Sequence, residues 1–214
     1  MVQIIINNKV VVTTRNSSVL QACNQVGIEV PKFCYHDKLI IAGNCRICLV
    51  EIKKFPKPVS SCTMPVSDHI EIYTDTPLVK KSRELILEFL LVNHPLDCPI
   101  CDQGGECDLQ NQNIAYGSDF SRFFFSKRSV FNGFFGPLVK TVINRCIHCT
   151  RCVRFLKNYA GYPSLGMYGR GGFSEIGFFS TSKKKLVISY LFGNIIDLCP
   201  VGYITIKNYA DNSN

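Results

Sequence analysis

The chain opens with two apolar, β-branched runs, residues 2–6 and 10–14, separated by Asn7-Asn8-Lys9. Asparagine tolerates positive φ, so this pattern predicts a hairpin. Ser17 or Ser18 then caps a short helix that carries Val19, Leu20, Cys23 and Val26 on one side. An irregular stretch from Pro31 to Arg46 follows. Strand-like runs come next at Ile47–Ile52, Val59–Cys62 and Ile70–Tyr73, with Pro56 and Pro58 marking a turn. Thr76-Pro77 reads as a helix start, with a cap followed by proline in the first turn. That helix is expected to run to about Val92, with Leu78, Leu85, Phe89 and Val92 on its core-facing side. A second short helix is expected over Glu106–Asn113. Gly166, Gly169, Gly171 and Gly172 match no nucleotide-binding fingerprint and read as turns.

The pattern predicts an α+β chain in three segments. These are a β-grasp, ferredoxin-like domain over 1–76, a helical segment over 77–116 and a small ferredoxin-type domain over 117–214. Hydrophobic residues make up 46% and charged ones 19% of the 214 residues, a globular rather than disordered balance. No apolar run reaches the 18 or so residues of a spanning helix, since the richest, Leu85–Val92, is interrupted by Glu88. The first residues lack the basic region of a secretory signal and the Arg/Ser-rich character of a transit peptide. The expectation is a chain that begins directly with structure and has no direct membrane span.

Twelve cysteines change the picture. They fall mostly into C-x2-C groups with no secretory signal, which favours metal sites over disulfides. Cys34, Cys45, Cys48 and Cys62 form a first set, spaced C-x10-C-x2-C-x13-C. Four thiolates suit zinc and iron–sulfur clusters equally on softness. The frame of hairpin, helix, cysteine loop and later strand is that of a [2Fe–2S] ferredoxin domain, although the plant-type loop has C-x4-C-x2-C. Gly43 is expected to let the backbone approach a sulfur. His94, Cys98, Cys101 and Cys107 form a second set, spaced H-x3-C-x2-C-x5-C. Alone it reads as a Cys3His zinc site; beside the other two it reads as a cubane with one thiolate fewer. Cys146, Cys149 and Cys152, spaced C-x2-C-x2-C, join the distant Cys199-Pro200 as the ligands of one [4Fe–4S] cluster. Arg145, Arg151 and Arg154 lie beside these ligands and either offset the cluster charge or serve as solvated surface charge. Cys23 has no partner at ligand spacing and reads as a core thiol.

The formal net charge of +8 would by itself suggest nucleic acid or an anionic surface. Three loaded clusters carry about five negative charges on this ligand model, leaving about +3. The basic excess is then largely compensation, and no nucleic-acid partner is expected. Seven phenylalanines lie within residues 117–137. Without an RNA-binding consensus they read as packing on this domain or on a partner subunit.

Together, several motifs resemble the N-terminal iron–sulfur half of the large peripheral-arm subunit of respiratory complex I, the 75 kDa or G-type subunit. They are Leu20-Gln-Ala-Cys23, Ile41-Ala-Gly-Asn-Cys45-Arg-Ile-Cys48-Leu-Val-Glu51, His94-Pro-Leu-Asp-Cys98-Pro-Ile-Cys101, Arg145-Cys-Ile-His-Cys-Thr-Arg-Cys-Val-Arg-Phe155 and Gly193-Asn-Ile-Ile-Asp-Leu-Cys-Pro-Val-Gly202. The resemblance implies a [2Fe–2S] cluster on the first set and [4Fe–4S] clusters on the second and third. It implies an electron-relay subunit of proton-translocating NADH:ubiquinone oxidoreductase, with no complete active site of its own. Electrons would pass from the [2Fe–2S] site to the Cys146-type site and then to the His94 site. The implied partners are the NADH-binding flavoprotein subunit and other peripheral-arm subunits. The implied place is the matrix side of the mitochondrial inner membrane, or the cytoplasmic face of a bacterial plasma membrane. Family members usually continue into a molybdopterin-oxidoreductase-like domain, which this sequence lacks. The expectation is a short, organelle-encoded form, with that domain on a separate polypeptide or missing. Two rivals share the first two sets: the diaphorase arm of NAD-linked hydrogenases and the N-terminal region of iron-only hydrogenases. Both commonly carry a paired ferredoxin module that is absent here. A zinc-stabilised basic scaffold is the alternative from another class.

Overall fold

The computed structural model describes residues 1–133, 135–163, 165–179 and 190–207. They group into two compact units, where the sequence pattern divides into three segments. The first unit comprises 1–35, 41–89 and 112–121; the second comprises 36–40, 90–111 and the residues from 122 onward.

In the first unit, β1 (Val2–Ile6) and β2 (Lys9–Thr13) pair antiparallel with Ile6 opposite Lys9. Asn7 and Asn8 make the turn at φ 48° and 66°, a left-handed pair that asparagine adopts more readily than other non-glycine residues. Val2, Ile4 and Ile6 point inward, while Val10 and Val12 of β2 face out. The helix α1 (Val19–Gln25) follows. Ser18 Oγ accepts from the Gln21 N–H at 3.3 Å, and the Gln21 side chain accepts from the Ser18 N–H at 2.9 Å, closing a capping box. Gly27, at φ 74°, ends the helix, and the N–H groups of Gly27 and Ile28 donate to the carbonyls of Asn24 and Cys23.

The remaining strands are β3 (Leu49–Ile52), β4 (Val59–Ser60) and β5 (Glu71–Tyr73). The five-stranded sheet has the order β2-β1-β5-β3-β4, with β5 parallel to β1 and the other neighbours antiparallel. The inner side chains of the sheet and of α1 form one core that includes Ile4, Ile6, Leu20, Val50, Ile52 and Ile72. Cys23 belongs to this core, and burial pushes its thiol up to about 11. The core-thiol reading of Cys23 agrees with both observations.

Helix α2 (Pro77–Leu91) starts where Thr76 Oγ1 accepts from the Val79 N–H at 3.2 Å. Its face differs from the sequence expectation. Val79, Arg83 and Leu87 are buried, whereas Leu78, Leu85 and Phe89 are exposed. The residues at spacing 79, 83 and 87 face inward although one of them is an arginine. Helix α3 (Asp108–Tyr116) starts and ends slightly later than the pattern predicts.

The second unit contains two small antiparallel sheets. β6 (Val139–Thr141) pairs with β9 (Ile204–Ile206), and β7 (Leu165–Tyr168) pairs with β8 (Glu175–Phe178). The short helices are α4 (Arg151–Asn158) and α5 (Ile195–Leu198). Leu156, Ile176, Ile195 and Tyr203 are buried in it, and Phe135 packs against Phe178 with ring centres 4.7 Å apart. Gly169 and Gly171 lie in the turn before β8 as expected, but Gly166 lies inside β7. Of the Phe-rich stretch, Phe135 is buried, Phe120, Phe123, Phe124, Phe125 and Phe131 are exposed, and residue 134 lies outside the described residues.

Ser18→Ala removes one half of the capping box. It should cost about 1 kcal/mol of stability, read as a lowered urea midpoint with an unchanged slope.

Candidate metal centres

In the first unit, Cys34, Cys48 and Cys62 are buried and Cys45 is partly so. Their thiols are mutual neighbours. Hydrogen bonding joins Cys34 to Cys45, Cys34 to Cys62, and Cys48 to Cys62. Hydrogen bonds from Cys45 and Cys62 pull Cys34 down to about 2, and the bond from Cys62 pulls Cys48 down to about 6. The Cys34 bond, followed by burial, pushes Cys45 up; bonds to Cys34 and Cys48, then burial, push Cys62 up. Four thiols in this relation share protons among themselves, and only a cation placed among them lets all four ionise. The Cys34 N–H also donates to Cys45 Sγ at 3.4 Å. Gly43, at φ 65°, is held to glycine by the Thr63 methyl group, which a Cβ there would meet at 2.6 Å.

The second set lies in the second unit. His94 follows α2, Cys98 starts a short 3-10 turn over Cys98–Ile100, Cys101 ends it, and Cys107 immediately precedes α3. Burial first, then the charges of Lys127 and Arg145, lower His94 to about 4, so its ring is neutral at neutral pH. Its Nδ1 is buried and has no hydrogen-bond partner among the described residues. A buried polar atom left in this way needs a partner, and a neutral imidazole nitrogen is a ligand for a borderline metal. Burial raises Cys107, and Cys101 is close enough to add to that effect. The Cys101 N–H donates to the Cys98 carbonyl at 3.4 Å, and among the described residues no side-chain hydrogen bond joins His94 or Cys98 to Cys101 or Cys107.

The third set is gathered more closely. Burial raises Cys146 and Cys152 well above the usual thiol range, and each also feels Cys149 and Cys199. Burial, then Cys149, pushes Cys199 up to about 12. Cys199 comes directly after α5, Cys152 lies in the first turn of α4, and Cys146 ends a 3-10 turn over Ile143–Arg145. The C-x2-C turns carry non-glycine residues in the left-handed region: Arg46 at φ 61°, His148 at 55° and Thr150 at 59°. Such positions cost about 1–2 kcal/mol each. In return, the His148 N–H reaches Cys146 Sγ at 3.4 Å.

The second and third sets are joined by their own chain. The Pro200 carbonyl accepts from the Asp108 N–H at 3.1 Å and from the Cys107 thiol at 3.9 Å. A Cβ on Gly202 would stand 2.3 Å from Cys101 Sγ, so only glycine fits there. Arg145, beside Cys146, donates twice to Asp97, beside Cys98, at 3.1 and 3.0 Å. Its charge is therefore spent locally. Arg154 donates to the carbonyls of Ile40 and Cys149. Sequence reasoning named twelve candidate ligands but gave no role to Gly202 or Asp97. Gly202 sits in the Cys-Pro-Val-Gly run, where a glycine close behind a ligand was the available signal. Among the described residues, no three His, Cys, Asp or Glu side chains are gathered tightly enough to hold a single metal ion. The assignment of ligand sets rests on the pairwise relations above.

Three family models match. Residues 1–77 match a 2Fe-2S iron-sulfur cluster binding domain, residues 83–122 match the NADH-ubiquinone oxidoreductase-G iron-sulfur binding region, and residues 136–205 match the ferredoxin-like domain of NADH-quinone oxidoreductase subunit 3. Over 98% of its length the chain is 61% identical to the NADH-ubiquinone oxidoreductase 75 kDa subunit of Reclinomonas americana, covering 30% of that protein. It is 56% identical, again over 98% of its length, to the mitochondrial NADH dehydrogenase [ubiquinone] iron-sulfur protein 1 of Solanum tuberosum, covering 28% of it. The chain thus spans about three tenths of the length of the curated relatives it matches. It also resembles a chain in the crystal structure of an NAD+-reducing [NiFe]-hydrogenase in the H2-reduced state, at 25% identity and a TM-score of 0.81, covering all of this chain and 90% of the other.

Two outcomes follow from the site. Gly202→Ala should crowd Cys101 and lower iron retention at the second set while the first set is unaffected, as read by iron analysis and electron paramagnetic resonance (EPR). In the metal-free chain, thiols held protonated by burial favour the folded state below the unfolded thiol value of about 8.5. That contribution is lost as pH rises toward the folded values. Urea unfolding of the apo chain should weaken above pH ~8.5, and the iron-loaded chain should show less of this slope. By its matched domains and its identity to these relatives across nearly its whole length, the chain belongs to the NADH-ubiquinone oxidoreductase 75 kDa/G subunit family, as the N-terminal iron–sulfur region of that family.

Proposed function

We propose that this chain is an electron-relay part of NADH:ubiquinone oxidoreductase, holding one [2Fe–2S] and two [4Fe–4S] clusters and passing single electrons from a flavoprotein subunit toward quinone. The observation that carries this reading is the grouping of thiols, all but the exposed Cys98 buried or partly buried, inside domains that match iron–sulfur families. Cys34, Cys45, Cys48 and Cys62 would hold the [2Fe–2S] cluster. His94, Cys98, Cys101 and Cys107 would hold one [4Fe–4S] cluster, and Cys146, Cys149, Cys152 and Cys199 the other. The donor sets fit these groups: the first is four thiols linked in series from Cys45 through Cys34 and Cys62 to Cys48, the second supplies an unpartnered buried imidazole nitrogen, and the third is four thiols within electrostatic reach. When bound, the clusters supply one-electron redox chemistry at a potential set by charge, hydrogen bonds to sulfur and exposure.

The chain's own residues do the rest. The backbone N–H groups of Cys34 and His148 donate to Cys45 and Cys146 and so favour the thiolate forms. Pro200 and Gly202 keep the second and third sets side by side. The neutral ring of His94 leaves its site one charge less negative than a four-thiolate site. The three segments 1–76, 77–116 and 117–214 each centre on one set.

The first unit exposes Leu78, Leu85, Phe89 and Phe120, and the second exposes Phe124, Phe125 and Phe131, large apolar side chains of the kind a subunit buries against neighbours. This supports partners in a larger assembly, which on this reading are the flavoprotein subunit and other peripheral-arm subunits. No helix among the described residues is long and apolar enough to cross a membrane. We place the chain in the peripheral arm, on the matrix side of the mitochondrial inner membrane. The second reading, a diaphorase subunit of an NAD-linked hydrogenase, is supported by the hydrogenase likeness, but the identity to the oxidoreductase subunits is much higher.

Anaerobic purification with metal analysis and EPR tests the reading. About ten irons per chain and reducible signals are expected; stoichiometric zinc with no reducible signal contradicts it. His94→Cys should lower the potential of its cluster by adding one negative charge. A redox titration of the loaded variant with an unchanged or raised potential would count against that role.

A further inference from the structure

Helix α2 buries Arg83 to 2% exposure while Leu78, Leu85 and Phe89 on the same helix are 49%, 43% and 79% exposed. Turning an arginine inward and three large apolar side chains outward runs against the hydrophobic effect. A buried charge also carries a desolvation penalty of several kcal/mol unless it meets an opposite charge. The described partners of Arg83 are neutral. Its Nη2 donates to the Leu49 carbonyl at 3.0 Å, and its guanidinium lies 5.3 Å from the centre of the Tyr116 ring. Its Nε is buried with no hydrogen-bond partner among the described residues. Asp75 exerts some pull, but its carboxylate is 68% exposed and pairs with Lys80 at 3.2 Å.

What lies close on the buried side is the first ligand set. Leu49, whose carbonyl Arg83 holds, directly follows Cys48, and Cys48 is 1% exposed. Arg83 also feels the Cys48 and Cys23 thiols. Cys23 is pushed up to about 11 by burial and so stays neutral at neutral pH, which leaves the exposed, Lys80-paired Asp75 and, on the buried side, the Cys48 thiolate as the anions that Arg83 feels. By contrast, Arg145 beside the third set already has a carboxylate partner in Asp97.

We propose that Arg83 is the buried counter-cation of the Cys34, Cys45, Cys48 and Cys62 site, a positioning residue that stabilises the site's anionic charge and favours arrival of the electron there. This rests on the reading that the four thiolates hold a [2Fe–2S] cluster. On reduction one electron enters from the external reductant, no bond forms or breaks, and the site becomes one charge more negative. Arg83 stays protonated throughout, so no proton accompanies the electron on its account.

The test is a dithionite titration, followed by EPR, of the whole reconstituted chain as wild type, Arg83→Met and Arg83→Lys. At a fixed potential near the wild-type midpoint, Arg83→Met should lower the reduced-to-oxidised ratio of the [2Fe–2S] signal about tenfold, a shift of about 59 mV to more negative potential. Arg83→Lys should retain most of the wild-type potential, and the [4Fe–4S] signals should not move. An unchanged or raised [2Fe–2S] potential in Arg83→Met overturns the proposal. Urea unfolding of the metal-free chains gives a second reading. Without its anion the buried cation is a liability, so apo Arg83→Met should be at least as stable as apo wild type. A large loss of apo stability, or failure of the apo variant to fold, would make Arg83 a packing residue and also overturn the proposal. Absence of any [2Fe–2S] signal in the wild type would instead refute the underlying ligand assignment.

Discussion

Packing several thiols together in a dry interior is the constraint on which the rest of this structure depends. A thiolate in a low-dielectric setting is costly, and neighbouring thiolates raise the cost further. The first set shows this directly, with two thiols drawn down and two pushed up by the same contacts. The third shows it through burial, reinforced by Cys149, which raises the thiols of Cys146, Cys152 and Cys199. Iron placed among the sulfurs relieves both situations, and the chain supplies the remaining stabilisation.

The backbone provides much of that help. The left-handed Arg46, His148 and Thr150 turn the chain tightly within C-x2-C loops. Strain of this kind persists only where the surroundings enforce it. Here the return is visible in N–H groups that reach sulfur, as from Cys34 to Cys45 and from His148 to Cys146. Charge is handled site by site. Arg145 is neutralised by Asp97, His94 is kept neutral, and Arg83 is buried beside the first set without a carboxylate in hydrogen-bonding contact.

Local pattern made the first unit legible. The Asn7-Asn8 turn, the Ser18 cap and the alternating strands are decided by neighbours in sequence, and each formed where expected. The grouping of thiols was legible because cysteine spacing is a strong signal by itself. Helix α2 was not. Its apolar stripe of Leu78, Leu85 and Phe89 pointed the wrong way because a buried charge, invisible to hydrophobic periodicity, settled which face turned inward. The crowding of Gly43 by the Thr63 methyl group, twenty positions on, was not visible in the spacing. The role of Gly202 depends on a contact between residues about a hundred positions apart in the chain, which spacing alone does not reveal.

The central claim is that three ligand sets hold two kinds of cluster. A Mössbauer spectrum of the chain reconstituted anaerobically with Mössbauer-active iron tests it most directly. The account predicts about a fifth of the iron in a [2Fe–2S] signature and the rest in [4Fe–4S] signatures. A spectrum with only one cluster type, or iron bound only as isolated ions, would contradict it.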